Sequence, residues 1–179
     1  VEFRARAVPD PRLLRQIDLC WSAGKGLLSF DSLRAAHFLF RMLSLSLRAG
    51  EPQRASRALA VVGMMLVFPG DPKGYAKGSR MIEAAERAAP DNDRLIDGTI
   101  TICRGTAEMS VGSFVRGKEL LERGIAILES ECTGIRWECS AARSSIFTSL
   151  TWIGDVDEMA ERAAEYRRNA EQVGDLFLG

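Results

Sequence analysis

Histidine is nearly absent from this 179-residue chain, net charge is absent, and no two cysteines stand at the paired spacing of a metal site. Each absence excludes a class of chemistry. The single histidine, His37, has no Cys, Asp or Glu at ligand or triad spacing, which argues against a zinc centre and against histidine-based acid–base catalysis. Cys20, Cys103, Cys132 and Cys139 form no CxxC pair, and three of them fall inside apolar helical patterns, where a free thiol behaves as a small hydrophobe. The simplest reading is a reduced, cytoplasmic protein; a Cys132–Cys139 disulfide requires the fold to bring those two together. Lys plus Arg equals Asp plus Glu at 24 each, so the basic excess that draws a domain to nucleic-acid phosphates is missing. The longest apolar run, Ala58 to Phe68, is about eleven residues and contains Gly63, too short to span a bilayer. The opening VEFRARAVPDP has no apolar stretch of the secretory kind. Nucleic acid and membrane are therefore excluded as partners, and no metal or cofactor is called for.

Strict period-two alternation with β-branched enrichment is also lacking, which excludes a sheet protein. What is present is helix punctuation. Asp10-Pro11 caps and opens a first helix running to about Phe30. Asp31 or Ser32 caps a second that ends at Ala49, with Gly50 as its left-handed terminator. Pro52 opens a third, ending near Phe68. The segment PGDPKG reads as a loop, and a fourth helix runs from about Tyr75 to Ala89, stopped by Pro90. Asp91 or Asn92 caps a fifth, ending before Gly112. Ser113 caps a sixth, ending near Glu131. A seventh runs from about Ile135 to Ile153, and an eighth follows Gly154-Asp155 and ends before Gly174. Apolar residues recur at helical period: Leu33, Ala36, Phe40, Leu43 and Leu47 in the second helix, and Phe114, Leu120, Leu121, Ile125 and Leu128 in the sixth. Helices of about 16 to 19 residues joined by such short turns must fold back on their neighbours. The expectation is a single all-α domain over residues 1–179, with about four antiparallel helix pairs.

The stretch Gly105 to Ile127 resembles a tetratricopeptide repeat. Gly105 stands where the two helices of that repeat cross, Gly112 sits at the turn, and Phe114 follows as the aromatic. Gly117 and Gly124 take the two small positions of the second helix, with Leu121 between them as the large apolar residue. Helices cross tightly only where side chains are tiny. Gly in place of the usual Ala costs each position about 1 kcal/mol of helix propensity. AGEPQRASRALA around Gly50, IGDVDEMAERAAEY around Gly154, and AERAAPDN ending at Asn92 echo parts of the same pattern. The turn glycines Gly112 and Gly154 lie 42 residues apart, longer than the standard period of about 34. The resemblance implies a tetratricopeptide-like right-handed superhelix with degenerate repeats.

A second resemblance covers most of the chain. DLCWSAGKGLLSFDSLRAAHFLFRMLSLSLRAGEPQRASRALA (Asp18 to Ala60), ECTGIRWECSAARSSIFTSLTWIGDVDEM (Glu131 to Met159) and the terminal AEQVGDLF are similar to the helical region that follows the kinase and ATPase modules of large bacterial serine/threonine protein kinases. It implies a fragment of a longer signalling protein whose catalytic modules lie outside this chain. No catalytic residue is carried over, because none of those modules' motifs is present. The closing GDLFLG reads as the start of another element.

The remaining candidates each have a bland counterpart. Ala23-Gly24-Lys25-Gly26 fails as a phosphate loop: no Gly stands five residues before Gly24, and the context is helical; a soft helix is the alternative. His37 lies near Ser44 and Ser46, without a nucleophile elbow. Trp21, Trp137 and Trp152 fit a core better than a groove, Trp137 being the one expected to be partly exposed. Asp155, Asp157, Glu158 and Glu161 lack the spacing of a calcium loop and suit the start of a helix. Arg34, Arg41 and Arg48 recur every seven residues, with Arg54 and Arg57 beyond: a solvated face, or a grip for an acidic partner. From Val1 to Arg57 there are ten basic and five acidic residues, and from Glu108 to Glu171 eight and twelve. This bias fits end-to-end stacking or two partner surfaces. The expected function is a non-catalytic protein-interaction and regulatory domain. Its partner would be a protein or peptide, or other domains of the same chain. The alternative is a small-molecule-sensing helical domain that controls an attached ATPase or kinase. No catalytic, cofactor or metal residue is assigned, and the partner-binding residues are left open.

Overall fold

The computed structural model describes residues 3–5 and 9–173, with side chains as far as Arg168. The closing GDLFLG lies outside the described residues. All regular structure among them is helical: α1 (Pro11–Leu27), α2 (Ser32–Ala49), α3 (Pro52–Val67), α4 (Pro72–Ala88), α5 (Arg94–Ser110), α6 (Phe114–Glu131), α7 (Arg136–Ile153) and α8 (Val156–Val173).

Carboxylates start most of these helices. Asp10, Asp31, Glu51, Asp71 and Asp93 each accept a hydrogen bond from a first-turn backbone N–H, and Pro opens α1, α3 and α4. Asp155 does the same for α8 by accepting from the Glu158 N–H at 3.0 Å. Such a cap satisfies a donor that the helix itself cannot. Gly50 and Gly154 end α2 and α7 in the left-handed conformation, at φ 65° and 84°.

Several boundaries differ from expectation, each for a local reason. α1 ends at Leu27 rather than Phe30, because the Phe30 and Asp31 amides turn back to the Leu27 carbonyl. α4 begins at Pro72, not Tyr75: Asp71 reaches the amides of Lys73 and Gly74, so half of the supposed loop is helix. α5 is capped by Asp93 rather than Asp91 or Asn92, and Asn92 adopts a positive φ of 58° in the turn. Ser113 occupies the cap position of α6 but makes no side-chain cap bond.

The helices form antiparallel pairs, and glycine sets how closely two of them approach. In α3–α4, a Cβ on Gly63 would lie 2.8 Å from the Gly78 carbonyl oxygen. Farther along, the Ser56 hydroxyl donates to the Ala85 carbonyl at 2.6 Å. In α5–α6, a Cβ on Gly105 would lie 2.9 Å from the Gly117 carbonyl, and one on Gly124 3.2 Å from that of Gly98. Leu121, fully buried, fills the space between them. Backbone thus touches backbone at these crossings, which only glycine permits.

The pairs join mainly through α2 against α3, α3 and α4 against α5, and α6 against α7. α3 packs on α5 and α5 on α7, while α4 and α6 touch mainly their neighbours in sequence. Two apolar cores result. The larger draws on α1 through α5, with Ile17, Leu39, Met42, Leu59, Val62 and Ile96 among its buried residues. The smaller lies between α6 and α7, around Leu121, Leu128, Ile146 and Leu150. α8 adds little apolar surface: Tyr166 is its buried residue among those described. It is tied down by charge instead, with Lys118 donating to Glu158 at 2.6 Å and Arg162 bridging Glu122 and Glu158.

Candidate functional site

A cluster of aromatic and charged side chains forms where long side chains of α1 reach those of α3 and α7. α1 brings Asp18, Trp21 and Lys25, one turn apart and so on one face. α3 brings Arg54 and Arg57 from its first two turns. α7 brings Trp137 and Glu138 from its first turn. Residues separated by more than a hundred positions converge here. Lys25 Nζ donates to Glu138 Oε1 at 2.9 Å. The Trp21 and Trp137 rings meet edge to face, centroids 6.3 Å apart at 87°. The Lys25 ammonium lies 5.2 Å from the first centroid and 5.4 Å from the second. A cation over an aromatic face gains about 0.5–1 kcal/mol, more where water is excluded.

Arginine completes the cluster from the other side. Arg54 grips Asp18 with two hydrogen bonds, Nε to Oδ1 at 2.8 Å and Nη2 to Oδ2 at 2.7 Å, and donates from Nη1 to Glu51 at 3.1 Å. The Arg54 hydrogen bonds to Asp18 hold its carboxyl below the ordinary range. The Arg57 guanidinium lies 5.2 Å over the Trp21 ring and 3.6 Å from Asp18. Burial pushes its pKa down. Two polar atoms of this cluster are buried without a hydrogen-bond partner: Arg57 Nε and Glu138 Oε2. A buried donor and a buried acceptor left unmade are each costly, on the order of 1–3 kcal/mol, and both sit in the same cluster.

The other candidates from the sequence are dispersed. Gly24 is a packing contact, since a Cβ there would lie 2.8 Å from the Leu39 side chain, whereas a Cβ on Gly26 would meet nothing within 4 Å. The AGKG segment is therefore the last turn of α1, not a phosphate loop. His37 is exposed and meets the Phe38 ring edge-on at 5.7 Å. Ser44 is exposed; Ser46 is buried with no partner for its hydroxyl. Asp155 caps α8 and Glu158 receives Lys118 and Arg162, while Asp157 and Glu161 face solvent. The arginine stripe divides: Arg34, Arg41 and Arg48 are exposed on α2, while Arg54 and Arg57 turn inward to Asp18. Burial raises the Cys103 thiol to about 12 and the Cys139 thiol to about 11. All four cysteines are free, Cys132 and Cys139 included.

The expectation for the tryptophans needs correcting at Trp152. Trp137 is half-buried, as expected, and so is Trp21, but Trp152 is exposed, at 69%, rather than in a core. It stacks flat on Phe114 at 5.6 Å and 6°. Val111, Val115, Ile153 and Val156 are exposed around it, on the edge formed by the α5–α6 and α7–α8 turns. On α4–α6, the Arg104–Glu86 ion pair at 2.8 Å joins the walls of two polar grooves of about 270 Å³ each.

Sequence reasoning missed Asp18, Lys25 and Glu138 as members of one cluster. The i, i+4 spacing of Trp21 and Lys25 was a local signal. Nothing local announced that α7 would complete it. Compared with known protein families, curated proteins and solved structures, the chain matches none of them.

Proposed function

We propose that this chain is a tetratricopeptide-like helical repeat domain, coiled as a right-handed superhelix, that binds a protein or peptide and performs no catalytic step. Its setting would be a cytoplasmic bacterial signalling protein related to serine/threonine kinases, with the partner a separate protein or another domain of the parent chain. The observation that carries the reading is the packing of antiparallel pair on antiparallel pair, α2 on α3, α4 on α5 and α6 on α7, with a row of first helices in which α3 packs on α5 and α5 touches α7. In repeat solenoids that row forms the binding surface. The glycine-to-glycine crossings of α5 and α6 are what the repeat resemblance calls for at Gly105, Gly117 and Gly124. The cluster around Trp21 and Trp137 supplies aromatic and charged side chains on the α1 end of that row, the composition that dominates interaction surfaces. A sensor of small molecules would want an enclosed, partly apolar pocket. The grooves on α4–α6 are open, and charged side chains such as Glu86, Asp97, Arg104 and Arg123 share their lining with Ile82, Ile100 and Ile127.

Two measurements test the proposal together. The purified chain should neither hydrolyse ATP nor transfer phosphate. On a peptide library it should show saturable binding, weakened about ten-fold or more by Trp137→Ala, as for a buried aromatic anchor. Turnover of ATP, or selected peptides indifferent to substitutions along α1, α3, α5 and α7, would overturn it.

A further inference from the structure

The cluster at α1–α7 has the form of a recognition site already occupied by part of its own chain. Trp21 and Trp137 present two aromatic rings at 87° to one another, both within 5.4 Å of the Lys25 ammonium, and Glu138 accepts its hydrogen bond at 2.9 Å. Two aromatic rings and one carboxylate around a cation are the elements by which proteins recognise alkylammonium groups. The occupant here is Lys25 Nζ. We propose that Trp21, Trp137 and Glu138 form a site for a primary alkylammonium group, that of a lysine on a peptide partner, and that Lys25 is its internal competitor. The proposal deepens the reading of the first-helix row as a peptide-binding surface, and its peptide source rests on that reading.

Three observations make Lys25 a displaceable occupant rather than a fixed strut. It belongs to the last turn of α1, which ends two residues later. It is followed by Gly26, whose low helix propensity softens the helix end on the C-terminal side of Lys25. The space beside Gly26 is open, with nothing within 4 Å of where its Cβ would be. The site also has capacity beyond what Lys25 uses. Glu138 Oε2 is buried and accepts nothing, and Arg57 Nε is buried and donates to nothing. A lysine carried on a peptide brings both an ammonium and backbone carbonyls, the two kinds of group these atoms call for. The hydrogen bond to Glu138 requires an N–H donor, so a primary ammonium is favoured over a quaternary one.

The competition is intramolecular, so a lone amine faces a rival tethered at high effective concentration. Removing that rival should raise affinity for an external amine by roughly ten-fold or more. The experiment is a tryptophan-fluorescence titration at constant ionic strength. It compares wild type, Lys25→Ala and the double variant Lys25→Ala/Trp137→Ala, with n-butylammonium, tetramethylammonium and an acetylated, amidated Gly-Lys-Gly peptide as probes. The expected result is saturable binding of n-butylammonium to Lys25→Ala, at least ten-fold tighter than to wild type, weaker for tetramethylammonium, and lost in the double variant. Equal response of wild type and Lys25→Ala, persistence of binding without Trp137, or a preference for tetramethylammonium overturns the proposal. In wild-type protein, excess n-butylammonium should shift the Trp21 and Trp137 indole N–H resonances together, which keeps the test independent of how well Lys25→Ala folds. Absence of that joint shift also counts against it. Tighter binding of the peptide than of n-butylammonium places the ammonium on a peptide partner; equal affinity places it on a free amine. Because n-butylammonium needs no partner, the cage can hold while the peptide-binding reading fails. The reverse outcome, peptide binding elsewhere on the row with no amine site, is equally visible.

Discussion

The two halves of this molecule are held by different forces. α1 through α5 share a core of twenty-one buried apolar residues, against seven between α6 and α7. α3 shows the contrast best, with Ala55, Ala58, Leu59, Ala60, Val61 and Val62 all buried. A helix buried nearly all round is an interior helix. α8 is the opposite: it rests on Tyr166 and on the Lys118–Glu158 and Arg162–Glu122 ion pairs. Ion pairs in partial contact with water, as these are, contribute about 0–1 kcal/mol each, whereas a buried Leu or Val contributes about 1.5–3 kcal/mol. Stability should therefore be graded from the first half to the second, with α8 its softest element.

The sharpest way to break the first half is at its tightest point. Gly78→Val would drive side-chain atoms into the Gly63 backbone and the Val67 side chain. We expect a loss of about 3 kcal/mol or more, with overpacking and helix separation acting together, read from urea denaturation. A near-native midpoint would show that α3 and α4 can part at little cost.

The comparison is sharpened by making the same cut in each core. Leu59 and Leu150 are both fully buried. Leu→Ala costs about 2–5 kcal/mol according to how well the site collapses. Leu59→Ala should fall near the upper end, because neighbouring helices surround it. Leu150→Ala should fall near the lower end, because it sits close to the thinly packed α8. Equal losses would erase the distinction between the cores.

The smallest effect comes from acid. Lys118 hydrogen-bonds Glu158 and holds its pKa below the ordinary 4.5. Arg54 does the same for Asp18 below 3.8. A depressed carboxyl pKa stabilises the fold above its unfolded value and loses that contribution as the pH falls through the folded one. The Glu158 contribution should begin to fade below about 4.5 and that of Asp18 below about 3.8, so α8 should loosen before the α1–α3 contact. Backbone amide NMR through the acid range tests the order. α8 resonances that move after those of α1 and α3 would contradict it.

Helix count and pairing were legible in the sequence because their causes are local. Pro11, Pro52 and the capping aspartates sit beside the backbone groups they satisfy, and Gly50 and Gly154 mark ends through their own φ. Gly105, Gly117 and Gly124 could be read as a close crossing because side-chain size is visible in a sequence. The start of α4 was misread because PGDPKG looks like a loop, although Asp71-Pro72 is as good an opening as Asp10-Pro11. The cluster was not legible. Trp21, Lys25 and Arg57 gave no sign that Trp137 and Glu138 would join them, since only tertiary packing brings α7 to α1. Trp152 was misplaced for a related reason: its helical spacing matched a core, but its position at the end of α7 left it beyond the helices that could cover it.

The contact between Lys25 and Glu138 spans 113 positions, and this separation orders events during synthesis. Each helix pair has short turns and can close on itself soon after it leaves the ribosome, because local contacts form early. The α1–α7 contact must wait for its second half. At about 5–20 residues per second, that interval is roughly 6 to 20 s. During it the Lys25 ammonium and the part of the Trp21 ring that α7 covers stand open on the nascent chain, while Asp18 can already pair with Arg54 and Arg57. The nascent domain thus displays to factors at the ribosome exit a face that the finished domain closes with Trp137 and Glu138 of α7.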